Sequence, residues 1–144
     1  MENNKVVTGS TYRRNRKETQ FDALDVAIEL KHKVSVYVMN EKRVPKRWRY
    51  FNGKPAVDYA RYIRDCVSVA NDIYLGKGTI ESRREMQNKA LQYCNLLQLQ
   101  LMDIIEECEG ATEESMRDIS DMLTDLIRKI KRWTKSDSDR IGKS

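Results

Sequence analysis

Glycine, proline and histidine are scarce in this chain, at six Gly, two Pro and one His in 144 residues. So few breakers exclude a collagen-like or low-complexity chain and leave room for long helices. The one histidine, His32, has no second His near it, and the sequence contains no Glu-x-x-His pair. Metal-site and di-iron patterns are therefore missing, and His32 reads as a surface or boundary residue. Cysteine is limited to Cys66, Cys94 and Cys108, an odd number at wide spacing. Each falls within or beside an apolar helical pattern, where a free thiol acts as a small hydrophobe. Three unpaired thiols in a reducing, cytoplasmic setting are expected. No apolar run approaches the roughly 18 residues of a membrane helix. The opening MENNKVVTGS lacks the apolar core of a secretory signal. A glycine-rich phosphate cradle is missing too. The expectation is a binder without catalytic residues, metal, cofactor or membrane contact.

What the chain has in abundance is Leu, Ile, Met, Ala, Glu, Lys, Arg and Gln, the residues that lose least freedom in a helix. Its length suits one domain with a core of its own. Four periodic segments predict helices at about 18–40, 54–75, 80–108 and 113–133. In the first, Phe21, Leu24, Ile28, then Val34 or Ser35, and Val38 follow a helical step. Val34, Val36 and Val38 alternate as in a strand, but no strand partner exists elsewhere, so helix is preferred. In the second, Asn52 reads as a cap and Pro55 as a first-turn residue. Ala56, Tyr59 or Ala60, Ile63, Val67, Ala70 and Tyr74 then recur. The third opens at Thr79 and carries Ile80, Ala90 or Leu91, Cys94, Leu97, Leu101, Ile104 and Cys108, with Gly110 as a left-handed stop. The fourth opens at Thr112 and carries the cleanest stripe, Met116, Ile119, Leu123, Leu126, Ile130 and Trp133. Short second and third connections predict an all-α, up-down-up-down antiparallel four-helix bundle over residues 18–134. A flexible basic arm (1–17) and a flexible tail (135–144) are expected to flank it.

The most distinctive stretch runs from Glu41 to Arg64, with a net charge of +6. Lys42, Arg43, Lys46, Arg47, Arg49 and Lys54 are interleaved there with Trp48, Tyr50 and Phe51. Cations mixed with planar rings suit a polyanion that also offers stacking faces, which describes nucleic acid. The competing reading is a solvated loop, with Trp48 or Phe51 capping the bundle. Trp48, Tyr50 and Phe51 are assigned to a protein interface. Arg13, Arg14, Arg16 and Lys17 resemble an arm that tracks phosphates. Arg83 and Arg84 form a further candidate pair on one helical face with Gln87, where an ordinary wet surface is the plain alternative. The acidic third connection, Glu106 to Glu114, should lie at the same pole as the basic first connection. Opposite charges side by side favour self-association, hence a homo-oligomer.

Val44-Pro45-Lys46, Arg49-Tyr50, Gly53, the helix ending Val69-Ala70-Asn71-Asp72-Ile73-Tyr74 and the terminal Ile130-Lys131-Arg132-Trp133 resemble a family of small four-helix bundles. That family includes the accessory variability determinant of diversity-generating retroelements. Its superfamily also holds proteins encoded in intervening sequences of bacterial ribosomal RNA genes. The likeness covers residues 18–135 and departs from the family at Asn52-Gly53-Lys54-Pro55. It implies a basic homopentamer that binds a reverse transcriptase and its template RNA and supports mutagenic reverse transcription without catalysing it; DNA stands beside RNA as an alternative nucleic-acid partner. Family nucleic-acid positions map onto Lys46, Arg49, Arg83 and Arg84. A ribosomal-RNA-associated bundle and a protein–protein adaptor without nucleic acid are the alternatives.

Overall fold

Apolar side chains recurring every three to four residues build four long helices. The computed structural model describes residues 18–143. Helix α1 spans Glu18–Met39. A single turn, Lys46–Trp48, passes through a five-residue π-helical turn, Arg49–Gly53, into α2, Lys54–Asp72. Helix α3 spans Ile80–Glu107 and α4 spans Arg117–Lys143. Each helix packs on its neighbours in the chain, and α1 closes against α4. The result is the expected antiparallel four-helix bundle. No described helix is long and apolar enough to cross a membrane.

Helix α4 illustrates how periodicity sets packing. Ile119, Leu123, Leu126, Ile130 and Trp133 face one way and are all buried. Each such side chain removed from water stabilises the fold by about 2 kcal/mol. The stripe does not stop at Trp133. One turn on, Asp137 is also buried, and the helix continues to Lys143 where a flexible tail was expected.

On α1 the seam is offset from the expected one. Ala23, Ala27, Leu30, Val34 and Val38 are buried, whereas Leu24 is half-buried and Ile28 exposed. Small alanines make the contact surface and the larger residues flank it, which a search for bulky apolar side chains overlooks. Val36 is exposed between buried Val34 and Val38, so the alternating valines belong to a helix.

Two glycines mark close approaches. A Cβ on Gly53 would lie 2.6 Å from Val38 Cγ1, and one on Gly110 would lie 1.7 Å from the Lys42 carbonyl oxygen. No described glycine has a positive φ. Gly110 therefore does not end α3 through a left-handed residue. It lets the third connection press directly on the first. Thr112 caps the turn that precedes α4, which starts at Arg117 and not at 113: its Oγ1 accepts from the Ser115 amide at 3.0 Å, and Ser115 Oγ accepts from the Thr112 amide at 3.0 Å. That reciprocal pair satisfies two amides before α4 starts. Thr79 stands at the start of α3, but its hydroxyl donates backward to the Tyr74 carbonyl.

Candidate nucleic-acid interface

The basic–aromatic tract is not a long loop. Only residues 40–45 connect α1 to the helical turn at Lys46. Asn40 begins the reversal, its carbonyl accepting from the amides of Arg43 and Val44, both at 2.9 Å. Its side chain accepts from the Lys42 amide at 3.0 Å. Val44 is fully buried and anchors the turn. Pro45 then precedes the helix, where its missing N–H costs nothing. Glu41 Oε2 accepts from the Lys46 amide at 3.4 Å, placing a carboxylate at a helix N-terminus.

The π-helical turn decides which side chains face outward. A wider turn inserts one residue into the helical register. Tyr50 and Phe51 are both left exposed, and Asn52 and Gly53 both turn inward. Asn52 is not a cap. It is buried, donates from Nδ2 to Glu107 Oε1 at 2.7 Å and accepts at Oδ1 from Gln100 Nε2 at 3.2 Å. Both ends of its amide are thereby satisfied, tying this turn to α3.

The cations divide into two groups. Arg49 is committed to the fold: its Nε donates to the Val44 carbonyl at 3.3 Å, and its Nη2 donates to the Met39 carbonyl at 3.0 Å and to Glu41 Oε1 at 3.1 Å. Arg43 donates from Nη1 to the Gly110 carbonyl at 3.0 Å. Lys54 and Arg61 both grip Asp58, at 2.8 and 2.9 Å. The Lys54 hydrogen bond, more than any other cause, holds the Asp58 carboxyl below the usual carboxylate range. Arg64 pairs with Asp65. By contrast, the side chains of Lys42, Lys46 and Arg47 are exposed and make no ion pair among the described residues. These three lie within six residues of one another at the pole where the first and third connections meet.

Arg83 is a correction. The residue is 2% exposed, so it is no surface phosphate ligand. Nε and Nη2 donate to the two oxygens of Asp137 at 2.7 and 3.1 Å. Nη1 donates to the Ile73 carbonyl at 2.8 Å. The group also sits 5.3 Å from the centre of the Trp133 ring. Gln87, expected on a wet face, is fully buried and donates to Asp137 Oδ2 at 2.9 Å. Arg84 is half-buried, with bonds to Glu81 and Ser138. This polar layer joins α3 to the end of α4, at the pole opposite the basic tract. Arg13, Arg14, Arg16 and Lys17 lie outside the described residues.

The aromatics also divide. Trp48 is half-buried against the core and caps the bundle. Tyr50 and Phe51 are 72% and 69% exposed. Their rings meet edge to face, with centroids 5.4 Å apart and planes at 86°. Two turns along α2, exposed Tyr62 rests 5.1 Å from Tyr93 of α3, which lies 6.3 Å from Tyr59. Burial pushes the Cys94 thiol up to about 12. Cys66 and Cys108 are raised as well, and all three are free and buried. No group of His, Cys, Asp and Glu that could hold a metal ion occurs among the described residues. Comparison with family models, curated proteins and solved structures finds no match to this chain.

Proposed function

We propose that this four-helix protein is a non-catalytic, nucleic-acid-binding accessory protein of a diversity-generating retroelement, joining a reverse transcriptase to its template RNA. The observation that carries the binding part is the set Lys42, Lys46 and Arg47. Three exposed cations without carboxylate partners among the described residues cluster at one pole of the bundle. Such charges attract phosphates and release counterions when they bind them. Arg43 and Arg49, although engaged with backbone and Glu41, stiffen the segment that presents these three. The retroelement setting and the polymerase partner come from the resemblance of Val44-Pro45-Lys46 and Ile130-Lys131-Arg132-Trp133 to the accessory family.

Self-association is part of the proposal. Apolar residues point outward on α3 (Leu99, Met102) and on α1 (Val36, Met39). Between α3 and α4 runs an apolar groove of about 580 Å³, lined by Leu99, Met102, Ile105, Met116 and Leu123 among others. Surfaces of this kind favour protein contact. The family likeness implies five copies.

Co-expression with a retroelement reverse transcriptase and its template RNA tests the reading. The expected result is one complex containing polymerase, RNA and several copies of this chain, sized by light scattering. Recovery of a protein with neither polymerase nor RNA attached contradicts it. Recovery of the chain with ribosomal RNA and no polymerase favours the ribosomal alternative.

A further inference from the structure

We infer that the outer face of the π-helical turn and the first turns of α2 is a stacking platform for unpaired nucleobases, so that the strand held at the basic pole is single-stranded. This rests on the reading of that pole as a nucleic-acid surface and names the class of strand it takes.

The rings come first. Tyr50 and Phe51 are the two large residues that the π-helical turn leaves outside, and they contribute little to the core. Edge-to-face geometry occupies one ring face at most, because neither ring lies flat on the other. Tyr62, 41% exposed, continues the surface along α2 and is braced from behind by Tyr93. Between these rings lies a shallow cleft of about 370 Å³, lined by Tyr50, Phe51, Tyr59 and Tyr62, with Lys54 and Asp58 on its wall. Braced rings around one cleft offer repeated π-faces at little cost in side-chain freedom.

Charge then selects the occupant. Arg47 stands one turn before the Tyr50–Phe51 pair and Lys54 one turn after it. The one acid on this strip, Asp58, is already held by Lys54 and Arg61. The strip is therefore net positive with exposed rings, which suits an anion carrying planar groups better than a neutral apolar helix. A duplex supplies the phosphates but keeps its base faces inside its own stack. A single strand supplies both, phosphates to Lys46 and Arg47 and bases to the rings.

The test is fluorescence anisotropy with a labelled, unstructured RNA of about 20 nucleotides and with the same strand in duplex form, at fixed salt. The proteins are the wild type, Tyr50→Ala/Phe51→Ala, Tyr62→Ala, Tyr62→Phe and Lys46→Gln/Arg47→Gln. A stacked base lost to alanine weakens binding about 5- to 150-fold. The double ring variant should lose at least about tenfold for the single strand and under about twofold for the duplex, with an unchanged salt slope. Tyr62→Phe should match wild type, because the ring and not the hydroxyl stacks. All these side chains are exposed, so melting curves should coincide and exclude misfolding. Equal losses on single strand and duplex, or no loss on either, overturn the platform. If the charge variant alone weakens binding, the pole remains a nucleic-acid surface and the stacking claim falls by itself. If the ring variant keeps RNA affinity but no longer retains a co-expressed reverse transcriptase, the rings serve a protein contact and the claim also falls. Wild type that binds neither RNA form removes both readings.

Discussion

Asp137→Ala would strand a buried cation. Among the described residues Asp137 is the one carboxylate bonded to Arg83, and both side chains are nearly solvent-free, at 2% and 3% exposure. Removing it breaks two charge-assisted bonds to Arg83 and one to Gln87. It leaves the guanidinium with the Ile73 carbonyl and the Trp133 ring. Loss of one partner from a buried ion pair costs about 3–5 kcal/mol, chiefly because the other charge stays desolvated. For a chain of this size a loss of about 4 kcal/mol lowers Tm by about 12–16 °C. Thermal and urea unfolding followed by far-UV circular dichroism measure this directly. Truncation after Lys135 removes the same carboxylate and should cost a similar amount, whereas a free tail predicts no change. The double variant Arg83→Met/Asp137→Leu should be less destabilised than the single one, because it leaves no charge behind. A Tm within about 2 °C of wild type for both Asp137→Ala and the truncation would refute the docking of the α4 end.

Gly110→Ala should cost more than about 3 kcal/mol, since its Cβ would meet the Lys42 carbonyl oxygen at 1.7 Å and backbone cannot swing aside as a side chain can. Chemical denaturation measures it, and a loss under about 0.5 kcal/mol would show that the two connections are not in contact. Cys94 makes stability depend on alkaline pH. Its thiol is raised to about 12 by burial, so the neutral form is favoured in the fold. The contribution is fully present below the ordinary thiol value near 9 and is lost as pH rises towards 12, at up to about 1.4 kcal/mol per pH unit. Urea unfolding at pH 8 and pH 10 should show this decline in wild type and a shallower one in Cys94→Ala; equal slopes would contradict it.

The four-helix architecture was legible because the α4 stripe and the spacing of α2 and α3 are strongly periodic. What periodicity concealed was polar residues at core positions. On α3, Ile80, Arg83, Gln87, Ala90, Cys94 and Leu97 hold one unbroken three-to-four spacing. The long gap between Ile80 and Ala90 in the apolar pattern was the available sign that Arg83 and Gln87 fill it. Their partner Asp137 was hidden in a Ser- and Asp-rich stretch whose composition resembles a tail, although it lies one turn beyond Trp133. Asn52-Gly53 carries the chemistry of a turn but is helical here. Asn52 satisfies its amide against α3, and Gly53 is small because Val38 lies against it. Sequence cannot reveal such a close approach between distant segments. For the candidate site, the tract itself was visible from its charge and rings. Which cations remain available was not, since Arg43 and Arg49 find their partners only once the chain has folded.

Nucleic-acid binding at the basic pole, as proposed, depends on phosphate contacts from Lys42, Lys46 and Arg47. Anisotropy titration of single-stranded RNA across a salt series, with wild type and Lys42→Gln/Lys46→Gln/Arg47→Gln, tests it most directly. Each phosphate contact on a single strand contributes about 0.7 to the slope of log affinity against log salt. Loss of all three contacts should flatten that slope by about 2 while leaving Tm unchanged. An unaltered slope and affinity in the triple variant would contradict the account.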